Sequence, residues 1–141
     1  MLELIYEKAF VSKVKIVKHL LENGGISSKE KVIEVIDTSW TTMDKYLYEL
    51  SKELPLKSIK IYKNSITINP KLCNLYDVQM NYLSKSIVKD VLTYIFFERN
   101  LTLESMAQSL YVSNSKLFKI LKFLKVQLKK IGIEVIRSPY I

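Results

Sequence analysis

Apolar residues recur at three- and four-residue intervals along most of the chain and at two-residue intervals in only two places, which predicts helices interrupted by short strands. The first helix is expected from about Glu3 to Glu22, with "ENGG" ending it and Gly24 taking a left-handed cap. In "ISSKEKVIEVI", Ser27 and Glu30 stand three apart and predict a capping box ahead of a short helix striped by Val32, Ile33 and Ile36. "DTS" breaks it. In "WTTMDKYLYELSKEL", Ser39 or Thr41 is the expected N-cap, Met43, Tyr46, Leu47, Leu50 and Leu54 repeat at helical spacing, and Pro55 stops the helix. Ile59 and Ile61, then Ile66 and Ile68, alternate around "KNS", the pattern of a hairpin closed by Pro70.

The second half follows the same order. "NLYDVQMNYL" predicts a connecting helix, and "SIVKDVLTYIFFE" a strongly apolar one. Thr102 is the expected cap of a short helix in "LESMAQSL", "YVS" a turn, and Ser113 the cap of a long helix running to about Ile131. Gly132 stops that helix and "IEVIR" alternates as a strand.

Displacing one half by 74 positions superimposes these patterns without a gap. Met106 falls on Val32, Ala107 on Ile33, Leu110 on Ile36 and Ser113 on Ser39. Leu117 falls on Met43, Ile120 on Tyr46, Leu121 on Leu47, Leu124 on Leu50 and Leu128 on Leu54. The expected fold class is therefore mainly α with small β wings: two tandem winged helix-turn-helix modules, over residues 1–70 and 71–141.

Within the second module, Ala107 is the small residue that a steep helix crossing needs. Met106, Leu110, Val112, Leu117 and Ile120 are placed to lock the corner. At about 100° per residue, Leu117, Ile120, Leu121, Leu124, Leu128 and Ile131 share one stripe of the long helix. Lys119 and Lys122 lie opposite, flanked by Lys129 and Lys130. Ser113, Asn114, Ser115 and Lys116 occupy the first turn, where short polar side chains reach base edges or phosphates.

Charge sharpens this reading. The 141 residues carry a formal net charge of +8. Residues 113–141 hold seven basic and one acidic side chain, against 11 and nine over residues 1–70. A lysine-bearing helix of this kind suits an anionic partner, nucleic acid before an acidic membrane surface. The matching face of the first module, with Trp40, Thr41, Thr42, Asp44, Lys45, Tyr48 and Lys52, is less basic. Asp44 is expected to pair with Lys45 or to accept from a cytosine amine. This module should add less affinity. Lys60 and Lys63 are candidate contacts on the hairpin wing.

The segment "SIVKDVLTYIFFERNLTLESMAQSLYVSNSKLFKILKFLKVQLKKIGIEVIRSPYI" resembles the Mga-type helix-turn-helix domain of Gram-positive virulence regulators, the Mga, RofA-like and AtxA group. Residues 8–70 are similar to the first winged helix of those regulators. The resemblance implies a cytoplasmic, DNA-binding transcription regulator whose second module is the principal reader, through Ser113, Asn114, Ser115, Lys116, Lys119 and Lys122. It implies double-stranded DNA as partner, a homodimer formed through regions absent from this chain, and RNA polymerase as a further partner. The chain stops at "RSPYI", where the return strand of the second wing should begin, so an incomplete wing is expected, either in an excised piece or in a natural short form.

Other functions find little footing. With one His, one Cys, no Gly-rich phosphate loop and no Gly-x-Ser-x-Gly, neither enzyme chemistry nor a metal or cofactor is expected. His19 reads as a structural residue and Cys73 as a part-buried thiol. No apolar run approaches the roughly 20 residues that span a bilayer. The rival reading is a protein-interaction winged helix that binds or titrates a longer related regulator, using Tyr48 and Phe118.

Overall fold

The computed structural model describes residues 5–97 and 102–135. The chain falls into two compact units. One runs over Glu7–Tyr82; the other holds the chain from Leu83 on, together with Ile5 and Tyr6.

The first unit begins with α1 (Lys8–Glu22), β1 (Ile26–Ser28), α2 (Lys29–Ile36) and α3 (Trp40–Glu53), continues through β2 (Ile59–Ile61) and β3 (Ser65–Ile68), and ends within α4 (Leu75–Lys85). Helix α1 starts at Lys8 rather than near Glu3. Residues 5–7 are not helical, and Glu3 lies outside the described residues. Its end is as expected: Gly24 takes φ +72° and the Gly25 N–H bonds the Leu20 carbonyl at 2.8 Å, so the last carbonyls find partners.

Ser27 does not cap α2. It lies in β1, a short strand with too few residues to show a period, which pairs antiparallel with β3 so that the sheet order is β1-β3-β2. The cap is Ser28, whose hydroxyl accepts from the Lys31 N–H at 3.2 Å. Ser27 instead shares a 2.8 Å hydrogen bond with His19, giving that histidine the structural role expected of it. Helix α1 packs on α2, α3 and β3, and Val14, Ile16, Val17, Leu20, Met43, Leu47, Leu50 and Ile66 are buried.

Lys13 is a charged group inside this apolar unit. Its side chain is 3% exposed and its ammonium lies 2.5 Å from Glu49 and 2.6 Å from Glu53. The rings of Phe10 and Tyr82 stack at 5.2 Å, with the ammonium under 6 Å from each centroid. Burial alone would lower the Lys13 pKa, but hydrogen bonds to Glu49 and Glu53 and their charges outweigh it and hold the ammonium above its ordinary value. Burial, then the nearby Glu53 and Glu49 carboxylates, push the Tyr82 phenol up.

The second unit is helical among its described residues: α5 (Ile87–Phe97), α6 (Leu103–Ser109) and α7 (Asn114–Lys129). Val88, Val91, Met106, Ala107, Leu117, Ile120 and Leu124 form its core, with Tyr6 meeting Phe123 edge-on at 5.4 Å. Thr102 caps α6 in a reciprocal box with Ser105, and Ser113 caps α7 by accepting from the Lys116 N–H at 3.1 Å.

Helix α7 ends at Lys129, short of Ile131. Gly132 at φ +81° lets the Ile133 N–H bond the Leu128 carbonyl at 2.9 Å, and this termination leaves Ile131 69% exposed instead of on the buried stripe. Residues 133–135 form no strand, although their alternation suggests one. A strand needs a ladder partner for its backbone, and they have none among the described residues. The remainder of "IEVIR" lies outside the described residues.

Two stability predictions follow from this packing. Ala107→Leu inserts bulk where α6 meets α7 and should cost about 1–3 kcal/mol in urea unfolding. Lys13→Met should cost about 2 kcal/mol at pH 7, below the 3–5 typical of a broken buried pair because the two carboxylates are a quarter to a third exposed. A lysine whose pKa is raised by folding stabilises fully below its ordinary value near 10.5. The gap between wild type and Lys13→Met should therefore close as pH rises through the elevated value; a gap unchanged at high pH would contradict the assignment.

Candidate DNA-binding face

The two helix pairs, α2–α3 and α6–α7, are built by equivalent residues. Ser28 and Thr102 cap the first helix of each, bonding the N–H three residues on. Asp37 (φ 48°) and Tyr111 (φ 56°) take the left-handed conformation between the helices. Ser39 and Ser113 cap the second helices, accepting from Thr42 and Lys116 at 3.1 Å each. Every one of these pairs is 74 residues apart, the displacement of the apolar repeat. The positive φ is an unfavourable backbone conformation for a residue with a Cβ, and it turns the chain sharply enough to restart a helix within three or four residues.

Helix α7 is buried along Leu117, Ile120, Leu124 and Leu128, with Leu121 half-buried. The structure leaves Ser113, Asn114, Ser115, Lys116, Lys119 and Lys122 exposed. Ser113 is engaged as the cap, so its hydroxyl is committed to the Lys116 N–H. The others extend along the side away from the core. Lys125 and Lys129 continue the same exposed side; Lys125 was not singled out from sequence, although the 100° phase that places Lys122 also places it. Helix α7 holds five lysines and no acidic residue, and Lys130 follows it. Among the described residues none of these ammonium groups is in an ion pair; Lys130 donates to Gln127 at 3.2 Å. The Lys122 ammonium lies over the ring of Phe118, 4.8 Å from its centroid.

The corresponding face of α3 differs. Trp40, Thr41, Lys45 and Tyr48 are exposed; Thr42 is half-buried and its hydroxyl accepts from Ser39 at 2.8 Å. Asp44 pairs with Lys29 at 3.5 Å, not with its neighbour Lys45, because adjacent residues on a helix diverge while the start of α2 lies within reach. Lys45 lies 3.9 Å from Glu49, and Lys52 sits over the Tyr48 ring at 5.4 Å. On α3, Lys45 is thus offset by Glu49, whereas among the described residues no lysine of α7 has a carboxylate partner. On the hairpin, Lys60 and Lys63 are exposed.

No group of His, Cys, Asp or Glu able to hold a metal occurs among the described residues, and no helix among them is long and apolar enough to cross a membrane. Burial, then the charge of Asp77, pushes the Cys73 thiol up, which disfavours the reactive thiolate.

No curated protein matches the chain. Residues 72–140 match the model of the Mga helix-turn-helix domain, just under half of the chain. The matched segment contains α5, α6 and α7, the caps of α6 and α7, and the lysine side of α7. Over residues 72–140 the chain is thus similar to the Mga helix-turn-helix domain, and the match supports an Mga-type DNA-binding region there.

Proposed function

We propose that the chain is the DNA-binding region of a cytoplasmic transcription regulator, organised as two tandem helix-turn-helix modules, and that it binds double-stranded DNA with sequence preference. The observation that carries the reading is the exposed side of α7: five lysines without a carboxylate partner among the described residues, on a helix whose other side is locked into a core. Helix α7 is the principal reader. Lys116, Lys119 and Lys122 supply phosphate attraction, while Asn114 and Ser115, on the exposed first turn, reach base edges. The first module assists through Thr41, Lys45 and Tyr48, with the ion pairs of Asp44 and Glu49 keeping its electrostatic share small. Lys60 and Lys63 extend the contact as a wing.

The equivalence of the caps and of the left-handed residues supports the tandem reading. An exposed Tyr48 and Phe118 would also suit a protein partner, but such an interface responds weakly to salt, whereas lysines displacing counterions from a duplex do not.

Binding of this chain to a random-sequence duplex should fall steeply with salt. Lys119→Ala/Lys122→Ala should weaken it by roughly tenfold on every sequence and reduce the log–log salt slope by about two. Wild-type affinity in that double variant would remove α7 from the interface. Asn114→Ala should change which sequences are enriched from a random pool more than the affinity for the pool as a whole.

A further inference from the structure

We propose that Phe118 is a specificity-determining residue of the α7 face and that it recognises the C5-methyl group of thymine in the major groove. The inference rests on the DNA-binding reading above. Phe118 follows Asn114 by four residues and precedes Lys122 by four, so the three lie side by side along the exposed helix surface. It is the bulky apolar residue in the first two turns of α7 that does not enter the core. Leu117 and Ile120 beside it are fully buried, whereas Phe118 is 47% exposed.

The charge around it selects the partner. The Lys122 ammonium, 4.8 Å from the ring centroid, is held against the ring's face, and Lys119 is also exposed on this helix. An apolar protein surface docking here would have to desolvate these cations, whereas a duplex brings phosphates to them and an apolar group to the ring. In the major groove that apolar group is the thymine methyl, the feature that separates T·A from the other pairs without a hydrogen bond. Every cation on α7 is a lysine, so the planar fork that reads guanine through two hydrogen bonds is missing from this helix. An apolar readout supplies discrimination that the polar set lacks. Helix α3 carries the related arrangement of Lys52 over the half-exposed Tyr48, but there the neighbouring Asp44 faces the same side.

The test uses the full chain and a pool of random duplexes enriched on it over several rounds of selection. The enriched pool is then copied with either deoxythymidine or deoxyuridine triphosphate, which removes only the methyl groups. The wild-type chain should prefer the thymine pool by about fourfold for each methyl contacted. Phe118→Ala should bind both pools equally with an unchanged salt slope, and Phe118→Leu, which keeps an apolar side chain, should retain part of the preference. Equal binding of the two pools by the wild type, or a preference that survives in Phe118→Ala, would overturn the assignment while leaving DNA binding intact. A chain that enriches no duplex at all would overturn the DNA-binding reading itself, and this inference with it.

Discussion

An amphipathic α-helix gives one side to a core, and the burial of Leu117, Ile120, Leu124 and Leu128 commits that side of α7. The rest of the second unit serves this one commitment. Helix α5 contributes Val88 and Val91, α6 contributes Met106 and the small Ala107, and the left-handed Tyr111 with the Ser113 cap restarts the chain in the required direction. Once the apolar stripe is satisfied, the lysines have no choice but to face water. They accumulate there without carboxylates to offset them among the described residues, a charge density that raises the free energy of the folded chain.

The two helix pairs show how one local construction serves different electrostatic ends. Caps, left-handed residue and core positions coincide at a fixed displacement of 74 residues, so the backbones are specified by the same signals. The outer faces share none of this constraint. Where α7 has Phe118 and Lys122, α3 has Asp44 and Tyr48 at the equivalent positions, and an acidic residue is tied back to Lys29 on the preceding helix. Solvent-facing positions diverge because little in the fold depends on them.

Lys13 illustrates the opposite case, a polar group whose place is dictated wholly by packing. Two carboxylates from α3 and a stacked pair of rings surround its ammonium, linking α1 to α3 and to Tyr82 of α4 inside the first unit. Such a cluster contributes little net stability against apolar replacement of all its charged members together, yet it disfavours any packing that separates the cation from its acids.

Much of this was legible in the sequence because it depends on local rules. Helical period located the stripe of α7 and the core residues of α3; Ser39, Thr102 and Ser113 announced their helix starts; and Gly24 and Gly132 announced the ends of α1 and α7. The exposure of Asn114, Ser115, Lys116, Lys119 and Lys122 followed from the same phase arithmetic. What the tertiary structure alone decided involves partners distant in the chain. Strand β1 exists only because β3 offers it a ladder, which moved the α2 cap from Ser27 to Ser28. Residues 133–135 alternate like a strand but, without such an offer among the described residues, form none. Asp44 found Lys29 rather than Lys45, and Lys13, which no local signal singles out, was drawn inside by two acids some 40 residues away. Periodicity and capping are properties of a few consecutive residues and can be read from them; strand pairing and ion pairing are properties of proximity, which only the folded chain creates.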